Sequence, residues 1–543
     1  MHLRDSPLRS QTIAKAGGAV LVFVALAAWA FASPVGASPD EDFHLASTWC
    51  GSGLQDGVCE VGEDDGTRTV PLAILTASCY AFDSTKSASC QGDSLDDAGE
   101  ADAEMIVTVR GNFRDEYPPV FFFFTSLFVG EDVAGSVLAM RLANAALFVL
   151  MIAATYLASP VGLRRAMLLG AAVTAVPLGM FIIPSVNPSS WAVLSAATFL
   201  VSVLGYLTAD RPRRRIALGA MAGLALLVGA GSRGDAALYA VVAVVVAFVL
   251  AGRRDRAGLR RMIYPVVLAI IATLTYLSTS QGNALEPSNP QPVWLGRVVQ
   301  LLVDVPDLWV GALGKWGLGW LDTAMSPLVW VGSSAVFAGV VYAALHRADL
   351  RKTLAVSGVL LAVWLVPTWV LLATGYGVGA WVQPRYILPL LTLLAVTAVV
   401  RLEGAAFQLS AAQRWLLVGA LSAANGLALH ANIRRYVTGN DVTSLNLDTA
   451  REWWWEIPAT PTVVWLVGAL AFAGGLLLLS AELRTPQPAL AVVPLRRVPT
   501  TVTAPQTPAD QAAPPVADAA PPADETPPAD DAPPAQRPAD PPA

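Results

Sequence analysis

The sequence predicts an all-α polytopic membrane protein with about twelve transmembrane helices. Of its 543 residues, 55% are hydrophobic and only 14% are charged, whereas soluble domains carry roughly 25% charged residues. Long apolar runs recur from Leu21 to Ser480, and roughly 20 apolar residues are enough to cross a bilayer. This composition excludes a soluble enzyme, a secreted disulfide scaffold and a fibrous protein.

The first apolar run, residues 14–32, follows a short basic segment, 1–13, which we expect to lie in the cytoplasm. Its end, Ala30-Phe31-Ala32, is similar to a signal-peptidase site. We interpret the run as a retained first span, because it combines with eleven later runs to give an even number of crossings. A cleaved signal peptide is the alternative.

A long hydrophilic loop, residues 33–118, follows the first span and contains 17 Asp and Glu but only four Lys and Arg. The positive-inside rule therefore places this loop outside the cytoplasm. It holds all four cysteines, Cys50, Cys59, Cys79 and Cys90. An even number in one loop predicts two disulfides in an oxidising compartment, with three pairings possible. A zinc site is the alternative.

Residues 119–480 are predicted to form a multispanning domain. Every second loop is rich in arginine, which places both chain ends in the cytoplasm. The eleven later spans are predicted at 133–158, 166–184, 189–208, 216–231, 235–251, 262–280, 327–345, 353–373, 384–401, 415–430 and 462–480.

The last segment, residues 481–543, is rich in Pro, Ala and Asp. Such a composition cannot bury enough apolar surface to offset the entropy lost on ordering. We expect a disordered cytoplasmic tail.

An acidic motif containing Asp40, Glu41 and His44 follows the first span by a few residues. A carboxylate at the membrane surface can act as a general base towards a hydroxyl group. Two carboxylates can also hold a divalent cation, Mg²⁺ or Mn²⁺, beside a phosphate. A solvated start of the loop is the alternative interpretation.

A second polar group, Asp115, Glu116 and Tyr117, lies at the other end of the same loop. Pro118 and Pro119 follow it and prevent a helix from continuing into the loop. Both acidic groups can therefore meet at one membrane surface. Plain termination of the loop explains this group equally well.

Three cations lie close to the predicted membrane surface. Arg385, followed by Tyr386, begins a span, and a guanidinium there can bind a phosphate through two hydrogen bonds. Arg233 lies in a tight turn, where pairing with Asp235 is the alternative. Lys315 lies among the tryptophans of a later external loop and is another candidate phosphate contact.

In the order of these motifs, the chain resembles the bacterial polytopic membrane proteins grouped as domain of unknown function 2142. The resemblance covers roughly residues 15–480. That family in turn resembles the GT-C glycosyltransferases, such as protein O-mannosyltransferases and lipid A aminoarabinose transferases, which take a sugar from a polyprenyl-phosphate carrier. The features that match are the single first span, Ser38-Pro39-Asp40-Glu41 with His44, Tyr117-Pro118-Pro119, Asn187-Pro188, Arg233-Gly234-Asp235 and Gln383-Pro384-Arg385-Tyr386.

The resemblance implies a GT-C-like fold and transfer of a sugar from a polyprenyl-phosphate donor to an envelope glycan or protein. It implies that Asp40 and Glu41 act as base or metal ligands and that Arg385 and Arg233 contact the carrier phosphate. The remaining predicted substrate-binding residues are His44, Asp115, Glu116, Tyr117, Lys315 and Tyr386. A transporter or flippase of a lipid-linked precursor and a non-catalytic assembly protein are the alternatives, and no basic stripe indicates nucleic acid.

Overall fold

The computed structural model describes residues 7–92, 95, 104–279, 292–346, 348–379 and 382–484. The predicted disordered tail from residue 485 onward, and the first six residues of the predicted cytoplasmic N-terminus, lie outside the described residues.

Long apolar helices dominate the described part of the chain, as the composition predicts. Ten of them are long and apolar enough to cross a membrane. They are α1 (Pro7–Phe31), α5 (Val133–Ala158), α6 (Val161–Ile182), α7 (Ser189–Thr208), α9 (Gly234–Ala251), α10 (Arg256–Ser278), α13 (Pro327–Ala344), α14 (Leu350–Thr374), α16 (Ala411–Val437) and α17 (Pro461–Ser480).

The other two predicted spans are also helical, but each differs from the ten in one respect. Helix α8 (Pro212–Ala230) begins with three consecutive arginines, so its apolar part is short. Helix α15 (Pro384–Val399) has only 16 residues, and nearly all of them are buried among the other helices. Whether the chain crosses ten or twelve times therefore depends on these two helices.

Small residues allow the first and last helices to lie side by side. Helix α1 packs along α17, and a Cβ atom added at Gly475 would lie 3.3 Å from the carbonyl oxygen of Gly18. Close approach of backbones through small residues is how helices associate without a hydrophobic driving force in lipid.

The long loop after α1 is folded. It contains the short helices α2 (Glu41–Trp49) and α3 (Leu72–Thr76) and a single 3₁₀ turn at Ala88–Gln91. Its three strands, β1 (Glu60–Val61), β2 (Arg68–Pro71) and β3 (Met105–Thr108), form an antiparallel sheet in that order. In the register of β2 and β3, Arg68 lies opposite Thr108. Helix α4 (Val120–Ser126) leads back to the helical bundle.

Two disulfides brace this loop, which confirms the disulfide interpretation over the zinc site. The sequence left three pairings open, and the structure joins Cys50 to Cys59 and Cys79 to Cys90. Each bridge closes a short local segment, with separations of 9 and 11 residues. Disulfides persist in oxidising compartments, so they indicate that this loop lies outside the cytoplasm.

Contacts between distant loops define two opposite faces of the bundle. On the face that we call the disulfide face, the indole of Trp320 donates to the carbonyl of Gly36. The backbone N–H of Asn440 donates to the carbonyl of Ser84 on the same face. On the face that we call the basic face, Arg261 donates to Leu207 and Arg165 donates to Phe407. The basic loops thus gather at one side, as the alternation of arginines predicts. The short helices α11 (Leu295–Asp304) and α12 (Pro306–Val310) precede the segment that carries Trp320.

Candidate functional site

A tight turn after α1 sets the position of the acidic motif. Asp40 is the N-cap residue of α2 and has a positive φ of 59°, a conformation that non-glycine residues adopt uncommonly. The side chain of Asn187, in the turn between α6 and α7, donates to the carbonyl of Pro39 at 2.9 Å. This contact anchors the motif to the bundle. The neighbouring carboxylates of Asp40 and Glu41 have different surroundings.

The Glu41 carboxylate is fully buried and belongs to an internal ion pair. Arg141 on α5, itself only 1% exposed, places Nη2 3.0 Å from both carboxylate oxygens. The backbone amides of Ser38 and Val186 also donate to this carboxylate, at 3.0 and 3.3 Å. Arg141, which lies within a span, is therefore paired with an acid of the long loop.

The Asp40 carboxylate lies on the other side of the turn and is 39% exposed. Its Oδ2 accepts a hydrogen bond from Nη2 of Arg385 at 2.5 Å, although the two residues are 345 positions apart in the chain. Its Oδ1 lies 3.3 Å from Nη2 of Arg110, which also binds Asp42. The acidic motif and the first turn of α15 thus meet on the disulfide face.

These charges set the ionisation of Asp40. Burial raises the pKa of the Asp40 carboxyl, but the nearby positive charges, of which Arg385 is the strongest, outweigh burial and hold the pKa below its usual range. Asp40 is therefore a carboxylate at neutral pH, and its basicity is reduced for as long as the guanidinium groups remain in contact with it.

The Arg385 guanidinium is 4% exposed, although it lies beside a partly open carboxylate. It stacks on the ring of Tyr386 at 4.7 Å and donates to the hydroxyl of that residue at 3.0 Å. Its Nη1 donates to Gln383, whereas its Nε is buried without a hydrogen-bond partner among the described residues. A buried donor without a partner is uncommon in native proteins.

Tyr386 lies between two guanidinium groups, since Arg233 covers its ring at 4.6 Å. Arg233 binds Asp235 through two hydrogen bonds, of 2.8 and 2.7 Å, so the alternative of a local pair is present. The same guanidinium also lies 5.5 Å from the ring centre of Tyr117. The structure therefore brings Asp40, Arg385, Tyr386, Arg233 and Tyr117 together, and we call this group the Asp40 cluster.

His44 forms the buried wall of the Asp40 cluster. Its ring stacks on Phe122 with centroids 6.0 Å apart and meets Tyr117 edge-on at 5.6 Å. Burial and the surrounding guanidinium groups lower the pKa of His44 to about 3, although the Asp40 carboxylate opposes them. Burial also raises the pKa of Tyr117 to about 12. Both side chains are therefore neutral at neutral pH.

Within the described residues, three of the predicted substrate-binding residues form no hydrogen bond, ion pair or ring contact with the Asp40 cluster. Asp115 is exposed and has a positive φ of 56°. Glu116 is half-buried, and burial raises the pKa of its carboxyl despite the positive charges of nearby arginines. Lys315 forms an ion pair with Asp307, whose other oxygen accepts a hydrogen bond from the Trp316 indole at 2.9 Å.

A family comparison covers the part of the chain that builds the Asp40 cluster. The family model described as a predicted membrane protein (DUF2142) matches residues 23–394. The chain belongs to the DUF2142 family. No curated protein and no solved structure matches the chain. The segment matched by DUF2142 begins inside α1 and ends inside α15, so it includes every residue of the Asp40 cluster.

The DUF2142 segment also contains a site residue that sequence reasoning missed. Arg110 binds Asp42 through Nε at 2.5 Å and reaches Asp40 as well. It lies in the polar loop, 70 residues from Asp40, and no motif distinguishes it from the other basic residues there. Only the folding of the loop brings it to the cluster.

The carboxylates of the acidic motif are already paired with arginines in this DUF2142 protein. Among the described residues, no group of three or more His, Cys, Asp or Glu side chains could hold a metal ion. Both oxygens of Glu41 lie against Arg141, and Asp40 lies between two guanidinium groups. A cation bound there would replace existing ion pairs, so we derive no step through a metal.

Proposed function

We propose that this protein is a membrane glycosyltransferase that transfers a sugar from a polyprenyl-phosphate donor to an acceptor outside the cytoplasm of a bacterium. We further propose that it crosses the plasma membrane twelve times, with a GT-C-like arrangement and both chain ends in the cytoplasm. The observation that carries the proposal is the ion pair between the buried Arg385 and the partly exposed Asp40 on the disulfide face.

Arg385 supplies the proposed phosphate contact. A guanidinium that is largely removed from water interacts more strongly with an anion than an exposed one does. The guanidinium already holds an anion, the Asp40 carboxylate, and its Nε donor has no partner among the described residues. A phosphate offers several oxygens to such a planar donor. Two donors of Arg233, Nε and Nη2, are already bound to Asp235. Arg233 therefore contributes its positive charge, across the ring of Tyr386, without a direct phosphate contact through these donors.

Asp40 supplies the proposed base. When a donor phosphate replaces the Asp40 carboxylate at Arg385, that carboxylate loses the contact that lowers its pKa most. Asp40 then becomes a stronger base. The acceptor hydroxyl then gives its proton to Asp40 while its oxygen bonds to the anomeric carbon of the sugar. The bond from that carbon to the phosphate oxygen breaks, and its electron pair stays on the polyprenyl phosphate that Arg385 stabilises. A single displacement of this kind inverts the anomeric carbon.

Glu41 contributes to this mechanism indirectly. Its ion pair with Arg141 holds the turn that presents Asp40, and its carboxylate is closed off from solvent. We therefore assign Glu41 an anchoring role instead of contact with substrate. His44 is buried near the Asp40 carboxylate and is neutral, so it shapes the wall of the site without adding charge.

Binding of polyprenyl phosphate to the purified full chain tests the competition at Arg385. We expect Arg385→Gln to bind the lipid more weakly than the wild type, because the cation is lost. We expect Asp40→Asn to bind it more tightly, because the competing carboxylate is removed. Native mass spectrometry of detergent-solubilised protein with added polyprenyl phosphate measures both changes.

Asp42→Asn is the matched control, since Asp42 is an acid of the same motif that pairs with Arg110 and, within the described residues, has no hydrogen bond to Arg385. Its affinity for polyprenyl phosphate should equal that of the wild type. If Asp40→Asn and Arg385→Gln change the affinity in the same direction, the two groups do not compete for phosphate and the proposed mechanism is wrong.

A further inference from the structure

A polar cavity of about 420 Å³ lies on the basic face and shares no residue with the Asp40 cluster. Its walls come from the ends of α9, α13 and α15 and from the start of α14. The volume lies within the range of small-molecule sites, roughly 300–1,000 Å³. The charged and ionisable residues that line it are His346, Asp349, Arg351, Lys352, Arg401 and Glu403.

The three cations of this cavity interact with backbone carbonyls. Lys352 is only 7% exposed, and its ammonium donates to the carbonyl of Val400. Arg401 donates to the carbonyl of His346 at 2.9 Å, and Arg351 reaches that of Gly252 at 3.4 Å. In the part of the chain that the structure describes, none of the three has an ion pair with a carboxylate.

The two acids of the cavity do not neutralise these cations. The Asp349 carboxylate caps α14, since it accepts the backbone N–H of Lys352 at 2.8 Å. Glu403 is exposed to solvent. Burial disfavours the charged form of an amine, and an anion that approaches it favours that form.

We propose that this cavity binds the phosphate group of an anionic phospholipid. Four helix ends meet here, which places the cavity at the level where spanning helices leave the bilayer and lipid headgroups lie. Leu250 and Ala344 add an apolar wall beside the cations, suited to the glycerol part of a lipid. Basic residues next to spanning helices attract anionic headgroups in the same way.

Lipid binding to the full chain, purified in detergent and freed of endogenous lipid, tests this site. The probes are phosphatidylglycerol, phosphatidylcholine with the same acyl chains, and inorganic phosphate, each followed by native mass spectrometry. We expect tighter binding of phosphatidylglycerol than of phosphatidylcholine. Arg401→Gln should weaken phosphatidylglycerol binding about fivefold, the effect of one interfacial cation. Lys352→Arg keeps the positive charge, so this variant should bind phosphatidylglycerol as tightly as the wild type does.

Arg211→Gln is the control, because Arg211 is an exposed cation that precedes α8 and does not line the cavity. Equal weakening in the two glutamine variants would mean general attraction to the basic face and would overturn the proposal. Displacement of phosphatidylglycerol by inorganic phosphate, with equal affinity for the two, would assign the cavity to a soluble phosphate and would overturn the lipid source. The cavity shares no residue with the Asp40 cluster, so this result does not depend on the proposed enzymatic function.

Discussion

Removing the arginine of the buried Glu41–Arg141 pair should destabilise the protein more than removing its acid. Arg141→Met leaves the Glu41 carboxylate, which is 0% exposed, with the backbone amides of Ser38 and Val186 as its donors among the described residues. Breaking a buried pair from one side in this way costs about 3–5 kcal/mol, because an uncompensated charge stays buried.

Glu41→Gln is the milder change, because the side chain keeps its shape and Arg141 keeps other acceptors. The guanidinium still donates to the backbone carbonyls of Ala30, Ser33 and Pro34. The loss is then mainly that of hydrogen bonds to a charged group, about 1.5–3 kcal/mol. The double variant Glu41→Gln/Arg141→Met leaves no buried charge, so it should be more stable than Arg141→Met alone.

Unfolding of the purified variants by titration with sodium dodecyl sulfate, followed by helix content, gives the free energy of unfolding of each. The expected order is wild type, then Glu41→Gln, then the double variant, with Arg141→Met the least stable. Strictly additive losses in the double variant, or no loss in Arg141→Met, would refute the assignment of this pair as the anchor of the acidic turn.

The Cys79→Ser/Cys90→Ser variant should lose about 2–4 kcal/mol of stability, and peptide mapping of unreduced wild type should recover the Cys79–Cys90 peptide. The pKa of His44 is about 3 in the folded state and about 6.5 in the unfolded state. Between these two pH values the unfolded state binds more protons, so the free energy of unfolding falls as the pH falls. From pH 7 to pH 5 the loss is about 2 kcal/mol, and His44→Phe should remove it in unfolding titrations at the two pH values. Tyr386→Leu, which removes the ring between Arg233 and Arg385, should weaken polyprenyl phosphate binding more than Tyr386→Phe, which keeps the stack, as measured by native mass spectrometry.

The spans could be predicted from the sequence because an apolar run of sufficient length has few alternatives. Two predicted ranges, 133–158 and 189–208, agree with α5 and α7 to the residue. The range 166–184 differs, since α6 begins at Val161 and its first turn contains Arg164. Hydropathy marks the part of a helix that lipid surrounds, whereas the helix itself continues into the interface. Predicted helix boundaries that lie next to basic residues are therefore displaced from the boundaries in the structure.

The candidate site could be predicted only in part. The motifs identify Asp40 and Arg385, but their contact joins positions 345 residues apart and exists only after folding. The sequence also treats Asp40 and Glu41 as an equivalent pair. The positive φ of Asp40 and the start of α2 turn the two carboxylates to different surroundings, and the resulting burial of Glu41 depends on Arg141 from another helix.

The central claim is that Asp40 takes part in transfer of a lipid-linked sugar. The most direct test is analysis of polyprenyl-phosphate sugars and envelope polymers in a strain that lacks this protein, complemented with wild type, Asp40→Asn or Asp42→Asn. We predict that Asp40→Asn behaves like the deletion, with the lipid-linked sugar accumulating and one envelope sugar missing, while Asp42→Asn behaves like the wild type. Wild-type sugar profiles in the Asp40→Asn strain, with the protein present in the membrane in normal amount, would contradict the claim and favour transport or scaffolding.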